Sequence, residues 1–179
     1  PDFYGVRHGG GLVRLDTTAQ TVTALGNITV GPTSPTHFED LEYDGSGTLY
    51  AIRGFNDGNF PPTNFNEAYR IINPATGSAL LSASFDSSTA RRHANIAFRP
   101  SDGLFYSNRN NDGHLGTVTL TTGAFADVAG VFNGLRTYCD ALAVDPTSGL
   151  CYGIMDMGSP PPFGSSNYSL IRMNLETGI

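Results

Sequence analysis

A tyrosine-centred segment recurs four times along the chain, at Tyr4, Tyr50, Tyr106 and Tyr152. The spacing alternates between 46 and 56 residues, so the first and third anchors, and likewise the second and fourth, lie 102 residues apart. A second family of segments, VRLDTTAQ, RIINPATG, VTLTTG and RMNLETG, follows the four anchors in turn. A period of this kind indicates a repeat architecture in which each repeat is one supersecondary unit.

The residues inside each repeat follow the period of a β-strand. Apolar and small residues alternate over short runs that are bounded by Gly, Pro, Asn and Asp, and helical spacing is absent. The stretch from Asp145 to Gly149 has the form Asp-Pro-x-x-Gly, which suits a tight turn because Pro restricts φ and Gly accepts positive φ. The pattern predicts an all-β chain in which each repeat is a four-stranded antiparallel meander.

Two of the repeats carry a family resemblance. The segments DLEYDGSGTLYAI and DALAVDPTSGLCYGI, with the AYRIINPATGSALL and SLIRMNLETG that follow them, resemble the repeats of secreted bacterial β-propellers of the NHL-like and YVTN-like kind. The resemblance implies a propeller of about three and a half four-stranded blades in an extracellular or secreted protein. It implies little about activity, because propellers serve as binding modules, enzymes and structural components.

The number of strands does not close a ring. If the strands of a blade are labelled A to D from the axis to the rim, the chain begins at a strand B and ends after a strand C, with 14 strands in all. An open arc exposes strand edges and half of a core. We therefore expect residues 1–179 to be a single propeller segment of a longer chain with six or eight blades. The alternative is a dimer of half-rings with seven blades.

Charge and hydropathy exclude two classes of partner. The net charge is −6, the 10 basic residues are all Arg, and no basic face capable of binding phosphates is evident, so no nucleic acid is expected. No stretch approaches the roughly 18 apolar residues of a membrane helix, so no membrane span is expected.

The loops that join strand B to C and strand D to A share one face of a propeller. Two long insertions, FNDGNFPPTNFNEA and MDMGSPPPFGSSNY, lie in B–C loops and offer rigid aromatic and proline contacts. We predict that this loop-insertion face binds a protein, a glycan or a second copy of the chain, although the same aromatics could instead cover the blade tops. The candidate binding residues are Phe55, Phe60, Phe65, Arg91, Arg92, His93 and Phe163.

One segment is similar to the first half of a calcium-binding loop. Asn108, Asn110 and Asp112 supply oxygen side chains at alternate positions before Gly113, but Thr119 stands where a bidentate Glu is wanted. The preceding blade has Asn-Asp-Gly at the equivalent turn, which favours a hairpin interpretation. No cofactor is therefore expected, and Ca²⁺ is the alternative.

The motifs favour a non-enzymatic role. Nucleophile-elbow, P-loop and zinc patterns are absent from the sequence. We predict an extracellular propeller that acts as a binding or structural assembly module through its loop-insertion face and its open blade edges. The alternative is a fragment of a metal-dependent propeller enzyme, hydrolase or lactonase-like, that uses carboxylates and an amide at the starts of the A strands. Those residues are Glu39, Asp40, Asn95 and Asp140, which could equally bond to neighbouring blades.

The two cysteines, Cys139 and Cys151, invite a disulfide in a secreted chain. The turn that begins at Asp145 predicts that Cys151 lies opposite Ala143 and that Cys139 lies opposite Met155. This register places the cysteines about 13 Å apart along the ladder, whereas a disulfide needs Cα atoms within about 7 Å. We predict that the two thiols are not bonded to each other.

Overall fold

The computed structural model describes residues 2–7, 9–56, 64–85, 93–109, 114–128, 138–156 and 168–175. That part of the chain contains 14 β-strands and no helix. The strands are β1 (Asp2–Val6), β2 (Gly11–Asp16), β3 (Thr21–Asn27), β4 (Phe38–Tyr43), β5 (Leu49–Asn56), β6 (Asn64–Asn73), β7 (Ser78–Ser84), β8 (His93–Arg99), β9 (Leu104–Arg109), β10 (His114–Val118), β11 (Phe125–Asp127), β12 (Tyr138–Val144), β13 (Cys151–Asp156) and β14 (Tyr168–Met173).

The strands form four antiparallel sheets, which we number blades 1 to 4 in chain order. Blade 1 has the order β1-β2-β3, blade 2 β4-β5-β6-β7, blade 3 β8-β9-β10-β11, and blade 4 β12-β13-β14. Within the described residues, blades 2 and 3 therefore carry strands A to D, blade 1 carries strands B to D, and blade 4 carries strands A to C. The fold is all-β, a partial β-propeller of about three and a half blades, and the prediction of strand number and phase is confirmed.

The hydrophobic cores lie between blades and not within them. One cluster joins blade 1 to blade 2 through Leu12, Ile28, Leu49 and Ile71. A second joins blade 2 to blade 3, and a third joins blade 3 to blade 4. Each sheet thus buries its apolar side chains only when the neighbouring sheet is in place, which is how stacked repeats gain their stability.

Each sheet has two distinct faces. We call the face that carries the strand-B tyrosine the tyrosine face and the other the rear face. In blade 2 the tyrosine face, with Tyr50 and Ile52, packs against Ile96 and Val118 on the rear face of blade 3. In blade 3 it packs, through Tyr106, against the rear face of blade 4. The tyrosine face of one blade therefore always meets the rear face of the next.

Two glycines in C–D turns allow the outer parts of adjacent blades to approach closely. A Cβ on Gly77, which has φ of 73°, would lie 2.2 Å from the Asn27 carbonyl oxygen of blade 1. A Cβ on Gly123, with φ of 77°, would lie 2.4 Å from the Ser84 carbonyl oxygen of blade 2. At the first contact, the Thr29 amide donates to the Gly77 carbonyl at 2.9 Å. Only glycine satisfies both the backbone conformation and the contact.

The ladder around the cysteines corrects one part of the predicted register. Cys139 lies opposite Met155 as predicted, but Cys151 lies opposite Val144 and not Ala143. The turn is one residue longer than predicted, and a β-bulge between Cys139 and Ala141 restores the expected pairing further along. The Cys151 side chain is fully buried in the core between blades 3 and 4.

No helix in the described residues has the length and apolar character of a membrane-spanning segment.

Candidate functional site

The A strands of blades 2, 3 and 4 all begin with the same irregularity. Their pairing with strand B skips one residue near the start, at Glu39, Ala94 and Asp140. A bulge of this kind bends the strand and redirects the side chains on either side of it. The residues just after the bulges, Asp40, Asn95 and Ala141, therefore occupy equivalent positions at the inner rim of the propeller.

Asp40 connects blade 2 to blade 3. Its Oδ2 accepts a hydrogen bond from the backbone amide of Ile96 at 2.8 Å, and its Oδ1 accepts one from the Leu41 amide at 2.8 Å. Desolvation nevertheless disfavours the charged form and raises the pKa of Asp40 to about 7. Each carboxylate oxygen thus has a backbone donor.

Asn95 takes the equivalent position in blade 3. Its side-chain amide donates to the Oδ1 of Asn108 at 3.3 Å, and both residues are buried between blades 3 and 4. Ser107, beside Asn108 on strand β9, is fully buried. An unpaired amide in such a place would cost roughly 1–3 kcal/mol, which explains why the two asparagines face each other.

A second polar network lies on strands β5 and β6 of blade 2. Arg53 pairs with Glu67 across the ladder, with Nη1 3.1 Å from Oε2. The Tyr69 hydroxyl donates to the same carboxylate oxygen at 2.5 Å, and burial together with Glu67 raises the pKa of that tyrosine. The Arg53 Nε donates to the Thr36 carbonyl at 2.7 Å. The network therefore holds the D–A loop to blade 2.

The end of that loop has an uncommon backbone conformation. His37 has φ of 65°, a left-handed conformation that few residues other than glycine adopt. Its Nδ1 lies 2.7 Å from the Thr36 hydroxyl. Phe38, the next residue, is buried and packs edge-on against Tyr69, with ring centroids 5.4 Å apart. Residues 36–38 are thus positioned by contacts to strands β5 and β6 of blade 2.

The polar groups described above mainly stabilise the fold. The described contacts of Asp40, Glu67 and Asn108 are hydrogen bonds within the protein, and they join strands, blades or loops. Among the residues described, no group of three or more His, Cys, Asp or Glu side chains is arranged to hold a metal ion. Asp40 thus bonds to the neighbouring blade, as one interpretation of the rim residues predicts, whereas the described bond of Asn95 stays within blade 3.

Several predicted site residues fall outside the described structure. Phe55, Phe65 and His93 lie in strands β5, β6 and β8, where the backbone alone is described. Asn108 lies within strand β9 and is buried, with its Oδ1 accepting from Asn95. Those that lie outside the described residues are Phe60, Arg91, Arg92, Asn110, Asp112 and Phe163.

The sequence interpretation did not anticipate the network of Arg53, Glu67 and Tyr69. Arg53 and Glu67 are separated by the B–C insertion, which hides their cross-strand pairing. The available signal was the strand register, since counting outward from Tyr50 and Arg70 brings the two residues opposite each other.

No protein-family model matches the sequence, and no curated protein sequence does. Solved structures with the same fold include a gluconolactonase from Xanthomonas campestris, 16% identical, with a TM-score of 0.60 over 98% of this chain and 56% of that one. A structure from a nidogen/laminin complex aligns over 99% of this chain and 59% of its own, at 12% identity and a TM-score of 0.62. An auxiliary nutrient binding protein from Bacteroides ovatus is 17% identical, with a TM-score of 0.57 over 85% of this chain and 32% of that one.

These structures place the chain in the class of β-propeller proteins. The chain spans between about a third and three-fifths of the length of the three structures described. At such low identities the likeness concerns the fold alone.

Proposed function

We propose that the chain is a non-enzymatic extracellular binding and assembly module, and that the tyrosine face of blade 4 docks another propeller blade. Binding proteins occur among the structures with the same fold, which supports the class of function. Differences in burial between equivalent residues of different blades point to the specific surface.

The main support for this proposal is the exposure of apolar side chains on blade 4. Leu170 is 74% exposed and Ile154 is 41% exposed, and the two lie opposite each other on strands β14 and β13. At the equivalent positions of blade 2, Ile52 and Ala68 are opposite each other and fully buried by blade 3. Tyr168, on the same face as Leu170, is 59% exposed. The tyrosine face of blade 4 therefore carries the apolar side chains of an inter-blade contact, but in the described structure no neighbouring blade covers it.

The rear face of blade 1 has the complementary character. Phe3 is 52% exposed, whereas Leu49 at the equivalent position of blade 2 is 3% exposed. Val22 is 60% exposed, whereas its counterpart Ala79 is 3% exposed. Since tyrosine faces meet rear faces throughout the molecule, the rear face of blade 1 in a second copy fits the tyrosine face of blade 4.

We therefore propose head-to-tail association of two copies as the property of the 179-residue chain. Such a contact is heterologous, so it closes into a ring or extends as a filament according to the angle between copies. Its driving force is the burial of Leu170, Ile154 and Tyr168, and full burial of an exposed leucine side chain alone is worth about 1.5–3 kcal/mol.

Sedimentation velocity across a range of protein concentrations tests the proposal. We expect the 179-residue chain to associate and Leu170→Ser to weaken the association about tenfold or more, because a buried leucine side chain is lost from the contact. Leu80→Ser is the matched control, since Leu80 is 53% exposed on strand β7, away from the end faces.

The control should associate like the unchanged chain. A folded 179-residue chain that remains monomeric at all concentrations would overturn the proposal, as would equal effects of the two substitutions. The sequence predicts a longer polypeptide, in which a further blade of the same chain would cover the tyrosine face of blade 4 in place of a second copy. The intact mass of the native protein tests that alternative.

The alternative function, a fragment of a metal-dependent propeller enzyme, rests on the rim carboxylates. Elemental analysis of the purified protein discriminates between the two functions. Stoichiometric calcium that is lost in Asp40→Asn would favour the enzyme, whereas its absence would favour the binding module.

A further inference from the structure

The C–D turns of blades 2 and 3 touch the preceding blade at the point where its strand D ends. A Cβ on Gly77 of blade 2 would lie 2.2 Å from the carbonyl oxygen of Asn27, the last residue of strand β3. A Cβ on Gly123 of blade 3 would lie 2.4 Å from the carbonyl oxygen of Ser84, the last residue of strand β7. A side chain at either position would overlap backbone atoms of the neighbour, so two complete blades stack in this way only around glycine.

Gln20 holds the corresponding position in blade 1. The turn between the paired residues Asp16 and Thr21 has four residues, of which Gln20 is the last. The C–D turn of blade 2 also has four residues and ends at Gly77. The backbone conformations agree, with φ of 54° at Gln20 and 73° at Gly77. Blade 1 therefore has glutamine where blades 2 and 3 have glycine.

The glutamine changes what the rear face of blade 1 can receive. Residues other than glycine rarely adopt a left-handed conformation, so Gln20 is an unusual residue for this turn. It is exposed, and by the geometry of the two internal contacts its side chain stands where strand D of a preceding blade would end. A complete four-stranded blade that stacked on blade 1 as blade 1 stacks on blade 2 would overlap with Gln20.

Blade 4 of the 179-residue chain presents its docking face without a strand D. Within the described residues blade 4 consists of strands A to C. Residues 176–179 are too few to add a strand D of seven residues such as β7. Ile154 and Leu170, which we propose for docking, lie on strands B and C. The tyrosine face of blade 4 can therefore meet the rear face of blade 1 with no strand D beside Gln20.

We infer that Gln20 makes the rear face of blade 1 selective, so that it admits the three-stranded blade 4 of a second copy and excludes a complete four-stranded blade. This selectivity rests on the proposed head-to-tail association and concerns which kind of blade takes part in it. The two copies then bind without the C–D turn contact that joins blades 1, 2 and 3.

Adding a strand D to blade 4 tests this selectivity. Ile179 holds the position of Ser78 in the repeat, so the segment 79–85, ALLSASF, appended after Ile179 supplies a strand D. In sedimentation velocity the extended chain should associate at least about tenfold more weakly than the 179-residue chain, because its strand D meets Gln20. Gln20→Gly should restore the association of the extended chain, and should change that of the 179-residue chain by less than about twofold.

Restored association would also show that the added strand folds into place. If the extended chain associates as tightly as the 179-residue chain, or if Gln20→Gly does not restore its association, the selectivity is overturned while the proposed association stands. If the 179-residue chain stays monomeric, the proposed association itself fails, and the selectivity fails with it.

A second measurement uses the chain without an extension. Gly77→Gln places a glutamine at a turn that a strand D does contact, whereas Gly149→Gln is the matched control, with φ of 70° and nothing within 4 Å of an added Cβ. At a concentration where the chain is monomeric, the thermal midpoint of Gly77→Gln should lie about 4 °C or more below that of Gly149→Gln. Equal midpoints would show that a strand D tolerates glutamine at this position, and would overturn the selectivity.

Discussion

The tyrosine faces of blades 2 and 4 are built alike but lie in different surroundings. Ile52 and Ile154 are the same residue at the same strand position, 102 residues apart, yet Ile52 is fully buried and Ile154 is 41% exposed. Both lie two residues after the strand-B tyrosine, and each is paired with a residue of strand C. The difference is the neighbouring blade, which covers Ile52 and, in the described structure, does not cover Ile154.

Burial in this fold is therefore a property of the contact between blades. A sheet alone cannot bury its apolar residues, so each blade depends on its neighbours for stability. Each of the three hydrophobic cores is formed by residues of two adjacent blades, which is the basis of this dependence. The same principle makes an uncovered tyrosine face a candidate for binding.

The largest expected effect comes from truncating the two isoleucines. Ile52→Ala should lower the free energy of unfolding by about 2–5 kcal/mol, because it leaves a cavity between blades 2 and 3. Ile154→Ala should lower it by less than about 1 kcal/mol in the monomeric chain, because the side chain is partly in water already. Urea denaturation at a concentration where the chain is monomeric measures both.

Equal losses in the two variants would contradict the comparison, because they would mean that Ile154 is covered as completely as Ile52. If Ile154→Ala lowers the free energy of unfolding more at high protein concentration than at low, the comparison of blades 2 and 4 is strengthened, because association covers that residue.

A second difference between the blades concerns charge. Asp40 joins blade 2 to blade 3, and Ala141 takes the equivalent position in blade 4. Since desolvation raises the pKa of Asp40 to about 7, the folded state holds a proton that the unfolded state releases above about pH 4. The free energy of unfolding should therefore fall as the pH rises, by about 2–3 kcal/mol between pH 5 and 8.

Asp40→Asn should remove most of this fall, because the amide cannot ionise. Glu42, whose pKa is also raised by burial, leaves a smaller slope in the variant. Asp16, Asp44, Asp102 and Asp145 have lowered pKa values and act below this range, where protonation costs stability. Denaturation curves at several pH values test the effect, and an unchanged slope in Asp40→Asn would show that another group is responsible.

The smallest expected effect separates two glycines with nearly the same backbone. Gly123 and Gly149 have φ of 77° and 70°, but a Cβ on Gly123 meets the Ser84 carbonyl oxygen, whereas one on Gly149 meets nothing within 4 Å. Both alanine variants carry the cost of positive φ, and Gly123→Ala should lose about 1–3 kcal/mol more because of the clash between blades. Thermal unfolding measures the difference, and equal midpoints would show that blades 2 and 3 separate there without cost.

Much of the fold followed from the sequence because strand period and turn chemistry are local. The tyrosine anchors, the alternating segments and the turns predicted 14 strands and the incomplete first and last blades, and the structure confirms them. The bulges were not predicted, because nothing in the local pattern marks Glu39 or Ala94 as an extra residue. The pairing of Cys151 with Val144 was missed because the A–B turn of blade 4 is one residue longer than the Asp-Pro-x-x-Gly pattern predicts.

The inner rim of the propeller shows most clearly what the sequence could not predict. Sequence placed Asp40 at the start of a strand A, but its donor, the Ile96 amide, lies 56 residues away on the next blade. That pairing depends on how two sheets pack, which no local pattern contains.

The sequence by itself determined the strands, their order within blades and the phase of the repeat, because these depend on neighbours along the chain. The tertiary structure alone decided which of two identical isoleucines is buried and which carboxylate becomes hard to ionise. Those properties arise between sheets that are distant in sequence, where packing sets solvent exposure and solvent exposure sets the energy.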